Sequence, residues 1–163
     1  MTPDFRPTRL LLRLAAANVD FVVIGGVAVV AQASPRFTKD LDVTYDALDG
    51  SNLERLAGVL SDLKATLRGI SDDVPFVPDA RTLDQIEILT LDTLDGPLDL
   101  LRDPPGGPGY ALLRERADVA MIAGAEIPIA SIDDLIAMKR AAGRPQDVAD
   151  IESLEVARRL RPQ

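Results

Sequence analysis

Residues 21–45 read FVVIGGVAVVAQASPRFTKDLDVTY, and the fold is decided there. Phe21, Val22, Val23 and Ile24 form an apolar, mostly β-branched run that suits a strand buried on both faces. Gly25 and Gly26 follow directly, and residues 27–33 predict a short helix. Such a strand, diglycine turn and helix bring backbone close to an anion and aim free N–H groups at it. Pro35 ends the helix, because the residue before a proline is pushed out of the α region. Asp40-Leu41-Asp42-Val43 then alternates polar and apolar. A strand has a period of two, so Asp40 and Asp42 share one face while Leu41 and Val43 enter the core. Two carboxylates on one face repel unless a cation lies between them, and hard divalent ions such as Mg²⁺ take oxygen ligands of this kind. The bland readings are a tight turn at the glycines and surface charges at the aspartates. Each is competitive alone; together, a phosphate cradle followed by a carboxylate pair points to phosphoryl or nucleotidyl transfer.

Gly25, Gly26, Arg36, Thr38, Asp40 and Asp42 are spaced as GG-x(9)-R-x-T-x-D-x-D. This pattern resembles the core signature of the DNA polymerase β-like nucleotidyltransferase superfamily. The closer resemblance is to its minimal nucleotidyltransferases and AbiEii/MenT-type toxins, whose tail is similar to residues 131–152, SIDDLIAMKRAAGRPQDVADIE. The resemblance implies an α/β fold, a small mixed sheet with helices on its faces. It also implies transfer of a nucleoside monophosphate from an NTP to a hydroxyl, dependent on Mg²⁺ or Mn²⁺, with pyrophosphate released. Asp40 and Asp42 would hold metal on the nucleotide phosphates. Asp99 would be the third carboxylate, completing a second metal site and helping to deprotonate the attacking hydroxyl. Lys139 would reach the phosphates. Gly25, Gly26, Arg36, Thr38 and Asp147 would complete the nucleotide-binding set, Asp147 matching a late aspartate of the toxin branch better than Asp150. The implied acceptor is a tRNA or other RNA, a small molecule such as an antibiotic, or a protein hydroxyl. A toxin would also have a cognate antitoxin. The rival from a different class is a nucleotide- or partner-binding module with the transferase fold and no turnover. Many superfamily members carry Gly-Ser where this chain has Gly25-Gly26, so its triphosphate binding must lean on backbone amides or other side chains.

The bland alternatives are specific. Arg36 reads equally as a phosphate contact or as the partner of a nearby acid, and Thr38 more as a loop-ordering residue. Lys139 follows Leu135 by one helical turn and could be a snorkelling lysine. Arg144, Asp147 and Asp150 could be an internal ion-pair cluster.

At 163 residues the chain reads as one domain, with 47% hydrophobic and 27% charged residues. It has no His and no Cys, which excludes His general bases, thiolate chemistry, disulfides and most zinc sites. Aromatic content of 4% with no Trp argues against stacking platforms for single-stranded nucleic acid. No membrane-spanning run or secretory signal pattern is present, so a cytoplasmic enzyme is the expectation. The net charge of −8 is uneven. Residues 1–39 carry five basic and two acidic groups, residues 135–163 six and four, and residues 40–134 seven and twenty. A large nucleic acid would meet an unfavourable mean field in the middle segment.

Elsewhere the patterns are local. Residues 1–7 read as loose, and Leu10, Leu11 and Leu14 mark a short helix that stops near Asn18. Ser51-Asn-Leu-Glu54 reads as a capping box opening a helix whose stripe is Leu53, Leu56, Leu60, Leu63 and Leu67. Residues 69–81 look like loop, with Asp72 and Asp73 as solvated charges. Residues 86–91 and 97–101 predict a hairpin about Asp95-Gly96. Asp99 points opposite to Leu98 and Leu100, while Asp92 and Asp95 are rivals for its role in more turn-like surroundings. Residues 103–109, DPPGGPG, read as an exposed loop near the site. A short helix at 110–117 and a small hairpin around Gly124 follow. Ser131 caps a helix that stops at Gly143, and Pro145 opens the last helix, with Ile151, Leu154 and Leu160 as its apolar stripe. Arg158 and Arg159 suit that helix's C-terminal dipole.

Overall fold

The structure, a computed structural model, describes residues 4–71 and 73–162, so residues 1–3, Asp72 and Gln163 lie outside the described residues. Its centre is strand β1 (Phe21–Ile24), every residue of which is buried, as the apolar run requires. Strands β2 (Leu41–Tyr45), β3 (Thr66–Leu67), β4 (Ile88–Thr93), β5 (Gly96–Leu101), β6 (Asp118–Ile122) and β7 (Ala125–Ile129) complete a mixed sheet in the order β3-β4-β5-β2-β1-β7-β6. β1 runs antiparallel to β2, with Ile24 opposite Asp42. β2 runs parallel to β5, with Asp42 opposite Asp99. Those two registers bring the end of β1, the second aspartate of the pair and the third carboxylate side by side across the middle of the sheet.

Seven helices are present among the described residues: α1 (Pro7–Ala16), α2 (Gly25–Gln32), α3 (Gly50–Asp62), α4 (Ala80–Gln85), α5 (Tyr110–Arg116), α6 (Ile132–Ala142) and α7 (Pro145–Leu160). The expected small mixed sheet with helices packed on it is the fold observed. α6 is capped by the Ser131 side chain, which accepts from the Asp134 N–H, and it ends on Gly143 in a left-handed conformation. Pro145 starts α7, and Asn18 closes the turn after α1 at φ +57°.

Several sequence expectations shift. α3 is capped by Asp49, whose carboxylate accepts from the Ser51 N–H, so Ser51 lies inside the helix. Asp49 wins because its side chain reaches the orphan N–H two residues on while its backbone is still extended. The leucine stripe stops at Leu63, and Leu67 lies in β3, where pairing with Leu91 of β4 overrides helical spacing. Residues 80–85 form α4, capped by Asp79, so the last two residues of the stretch expected as loop, 69–81, open a helix. The chain from Pro7 onward is helical rather than loose, and Leu160 is 79% exposed, outside the stripe anchored by buried Leu154. Asp95 does have a structural role: buried in the β4–β5 turn, it accepts from Arg13 Nε at 2.9 Å and ties α1 to the sheet. No helix among the described residues is long and apolar enough to cross a membrane.

Candidate active site

The central strands carrying Asp42 and Asp99 border a cleft of about 600 Å³. Gly25, Gly26, Arg36, Thr38, Asp40, Asp42, Asp99 and Lys139 all line it, so eight of the nine residues singled out in the sequence meet in one place. Asp147 is the exception: it is buried behind the cleft wall. The carboxylates of Asp92 and Asp95 do not line the cleft either, which leaves Asp99 as the acid on the strand beside Asp42.

Burial is the main cost of charge at Asp42, and the nearby Asp40 and Asp99 carboxylates add to it. Its pKa is pushed up to about 7, Lys139 offsetting only part of the effect. Asp99 is also raised, first by burial, with Arg68 opposing and Asp40 reinforcing the shift. Burial and neighbouring carboxylates thus disfavour the ionised forms of Asp42 and Asp99, an arrangement that calls for positive charge. Among the described residues no three acidic side chains are close enough to cage a cation unaided. Mg²⁺ is usually held by one or two carboxylates with substrate phosphates and water supplying the rest. Asp40 and Asp42, with Asp99 alongside, fit that oxygen-only, incomplete set.

The two glycines are required for space as well as for any anion. A Cβ on Gly25 would stand 2.1 Å from Asp42 Oδ2, and the residue's φ of +68° already disfavours side chains. A Cβ on Gly26 would stand 2.8 Å from both Arg36 Nη2 and Thr38 Oγ1. The departure from Gly-Ser therefore has a packing cause: the second glycine makes room for the loop carrying Arg36. α2 begins at Gly25 with no side chain capping its first turn, so its leading N–H groups are left for the cleft.

Behind the cleft lies a buried ionic network. Lys139 is only 6% exposed, and its Nζ stands 3.1 Å from Asp147 Oδ1 and 2.9 Å from Asp150 Oδ2. That is deeper than a snorkelling lysine. Asp150 also accepts from Arg36 Nη2 at 3.0 Å; Arg36 Nε approaches the other oxygen at 2.8 Å, but at an angle too poor for a hydrogen bond. Asp147 accepts from the Arg144 backbone N–H at 2.9 Å and from Arg144 Nε at 3.0 Å. Burial works to raise the Asp147 pKa, but the Arg144 and Lys139 hydrogen bonds outweigh it and hold it low. Asp150 thus joins Arg36, on the loop before β2, to Lys139 on α6. Thr38 Oγ1 donates to the Asp40 carbonyl at 3.3 Å, the loop-ordering role expected of it.

Three features in and around the cleft were not read from the sequence as site features. Arg68, after β3, donates to Asp99 Oδ1 at 2.8 Å. Arg144 lines the rim with its guanidinium mostly exposed. Phe37, 83% exposed, forms an apolar wall with Ile88, Leu101 and Met138, and Pro104 and Pro105 of the expected loop border it. Only the contacts reveal them, since each depends on segments distant in sequence being brought together.

Known proteins share this architecture. The lincosamide antibiotic adenylyltransferase LnuA, solved with lincomycin bound, superposes with a TM-score of 0.62 at 16% identity, over 91% of this chain and 94% of that one. The antibiotic-resistance factor ANT(2'')-Ia superposes with a TM-score of 0.54 at 18% identity, over 93% and 82%. An antigenic nucleotidyltransferase-like protein from Paracoccidioides brasiliensis gives 0.54 at 20% identity, over 90% and 72%. At such identities the likeness is one of fold. No curated protein matches the chain. The model of one family, described as nucleotidyl transferase AbiEii toxin of type IV toxin–antitoxin systems, matches residues 9–154. The chain therefore belongs to the AbiEii nucleotidyl transferase family, and its αβ sheet with the carboxylate-lined cleft is a nucleotidyltransferase domain.

Proposed function

We propose that this chain, acting as a single nucleotidyltransferase domain, moves a nucleoside monophosphate from ATP or another NTP to a hydroxyl acceptor and releases pyrophosphate. The observation that carries the reading is the β2–β5 register, which sets Asp99 beside Asp42 in a cleft that Asp40 and the open N-terminus of α2 also face. The triphosphate lies against the leading N–H groups of α2 at Gly25 and Gly26, where a helix N-terminus favours anions. Lys139 and Arg36, held by Asp150, fix positive charge on one side of it, with Thr38 ordering the loop between. Asp147 acts through Lys139 rather than on the nucleotide. Asp40 and Asp42 would hold Mg²⁺ or Mn²⁺, which when bound would neutralise phosphate charge and polarise the reacting phosphorus. Asp99 faces the acceptor and takes the hydroxyl proton. The acceptor oxygen bonds to the α-phosphorus as the bond to the bridging oxygen breaks, and the electron pair leaves with pyrophosphate.

Membership of a toxin family favours an RNA acceptor such as a tRNA, a cytoplasmic setting and a cognate antitoxin as partner. The apolar wall around Phe37 and Met138 favours a second reading, a small-molecule acceptor, since such walls line small-ligand clefts. Incubation with α-labelled NTPs, Mg²⁺ and, separately, total RNA, protein or aminoglycoside and lincosamide acceptors distinguishes them. Label in RNA supports the toxin reading, and label only in the antibiotics supports the second. NTP binding with no label in any acceptor would mean a binding module without turnover.

A further inference from the structure

Among the described residues, Asp99 is the carboxylate of the cleft that is ion-paired with a cation of the protein's own. Arg68 Nη2 donates to Asp99 Oδ1 at 2.8 Å and to the Leu91 carbonyl at 2.8 Å, while its Nε donates to Asp92 Oδ1 at 3.3 Å. Its backbone N–H donates to the Thr90 carbonyl at 2.9 Å. The residue is thus fastened to β4 by main chain and side chain together, and reaches across to β5. A guanidinium is always charged and presents its donors in a rigid fork, so these contacts orient it as well as hold it.

We propose that Arg68 takes the place of a second metal ion on the Asp99 side of the cleft, so that the enzyme loads one divalent cation with its nucleotide. The inference rests on the carboxylate set being a cation site. A second divalent ion at Asp99 would stand close to a fixed positive charge and be repelled by it. Moving Arg68 aside to admit that ion would strip the Leu91 carbonyl and the Asp92 carboxylate of their partner. Arg68 supplies Asp99 with what a second ion would give it, a fixed orientation and a counter-charge, without needing a shell of oxygen ligands. Arg68 is therefore a positioning residue: it acts on the acceptor hydroxyl only through Asp99.

The test counts ions. Mn²⁺ is titrated into the full chain with saturating nonhydrolysable ATP analogue, and free Mn²⁺ is followed by electron paramagnetic resonance. Wild type is expected to bind one Mn²⁺ tightly. Arg68→Gln, which keeps a donor for the Leu91 carbonyl but loses the charge, is expected to bind a second at least tenfold more tightly than wild type does. Arg68→Lys keeps the charge and should still bind one. Two equally tight ions in wild type overturn the proposal, as does an Arg68→Gln count identical to wild type. Should Arg68→Gln not fold, the wild-type and Arg68→Lys counts decide, two ions in either overturning it. Failure of wild type to bind any Mn²⁺ with the nucleotide overturns the cation site itself, and this inference with it.

Discussion

Near pH 7 Asp42 is half protonated in the folded protein, whereas the unfolded chain has lost that proton near 3.8. Between those values the native state holds more protons, so stability falls as pH rises and the cost is complete above about 7. The expected result is that apo protein loses melting temperature from pH 4 toward pH 7, and that Asp42→Asn flattens this slope. A cation has the opposite preference, since it needs the ionised carboxylate. Metal-nucleotide affinity, read by calorimetry, should therefore fall by up to about tenfold per pH unit below 7, as for competition with one proton. Asp42→Asn binding metal-nucleotide as tightly as wild type would sink the assignment. Asp99 and Asp92 share Arg68, so they make a matched pair for separating chemistry from charge. Asp99→Asn should lower single-turnover labelling by roughly 10²-fold or more while NTP affinity stays within a few-fold. Asp92→Asn should do neither; a dead Asp92→Asn would place the third carboxylate on the wrong strand.

At the scale of elements, α3 is structural. Leu60 is fully buried, and Leu60→Ala should cost about 2–5 kcal/mol in denaturant unfolding. Activity per folded molecule should survive, because no residue of α3 lines the cleft. The corrected cap gives a finer comparison: Asp49→Ala should cost about 1 kcal/mol, and Ser51→Ala much less. Elements with a local cause were legible in the sequence. The apolar run of β1, the glycines, the alternating Asp40–Val43 and the Ser131 and Gly143 ends of α6 all carry their signal within a few residues. What was missed depends on partners distant in sequence. Arg68 finds Asp92 and Asp99 only once β3, β4 and β5 are aligned, and Asp150 finds Arg36 only when α7 docks. Leu67 failed for the same reason, because strand pairing outweighs a continuing helical spacing.

At the scale of the whole molecule, α7 is tied to the cleft through buried charge. Asp150 is 2% exposed and serves two cations, so Asp150→Asn should leave Arg36 and Lys139 undercompensated and cost roughly 3–5 kcal/mol. Thermal unfolding measures the loss, and a value near zero would mean the network is solvated in solution. The central strand β1 is likewise completed late, by parallel pairing with β7, Val23 against Ile129. Connections of that sequence separation close slowly and after local structure has formed. During synthesis the three aspartates of the cleft therefore emerge well before the strand that seals the sheet and the helix that grips Arg36. A nascent chain thus carries the acids of the cleft without their frame until β7 has paired with β1 and α7 has docked Asp150 against Arg36.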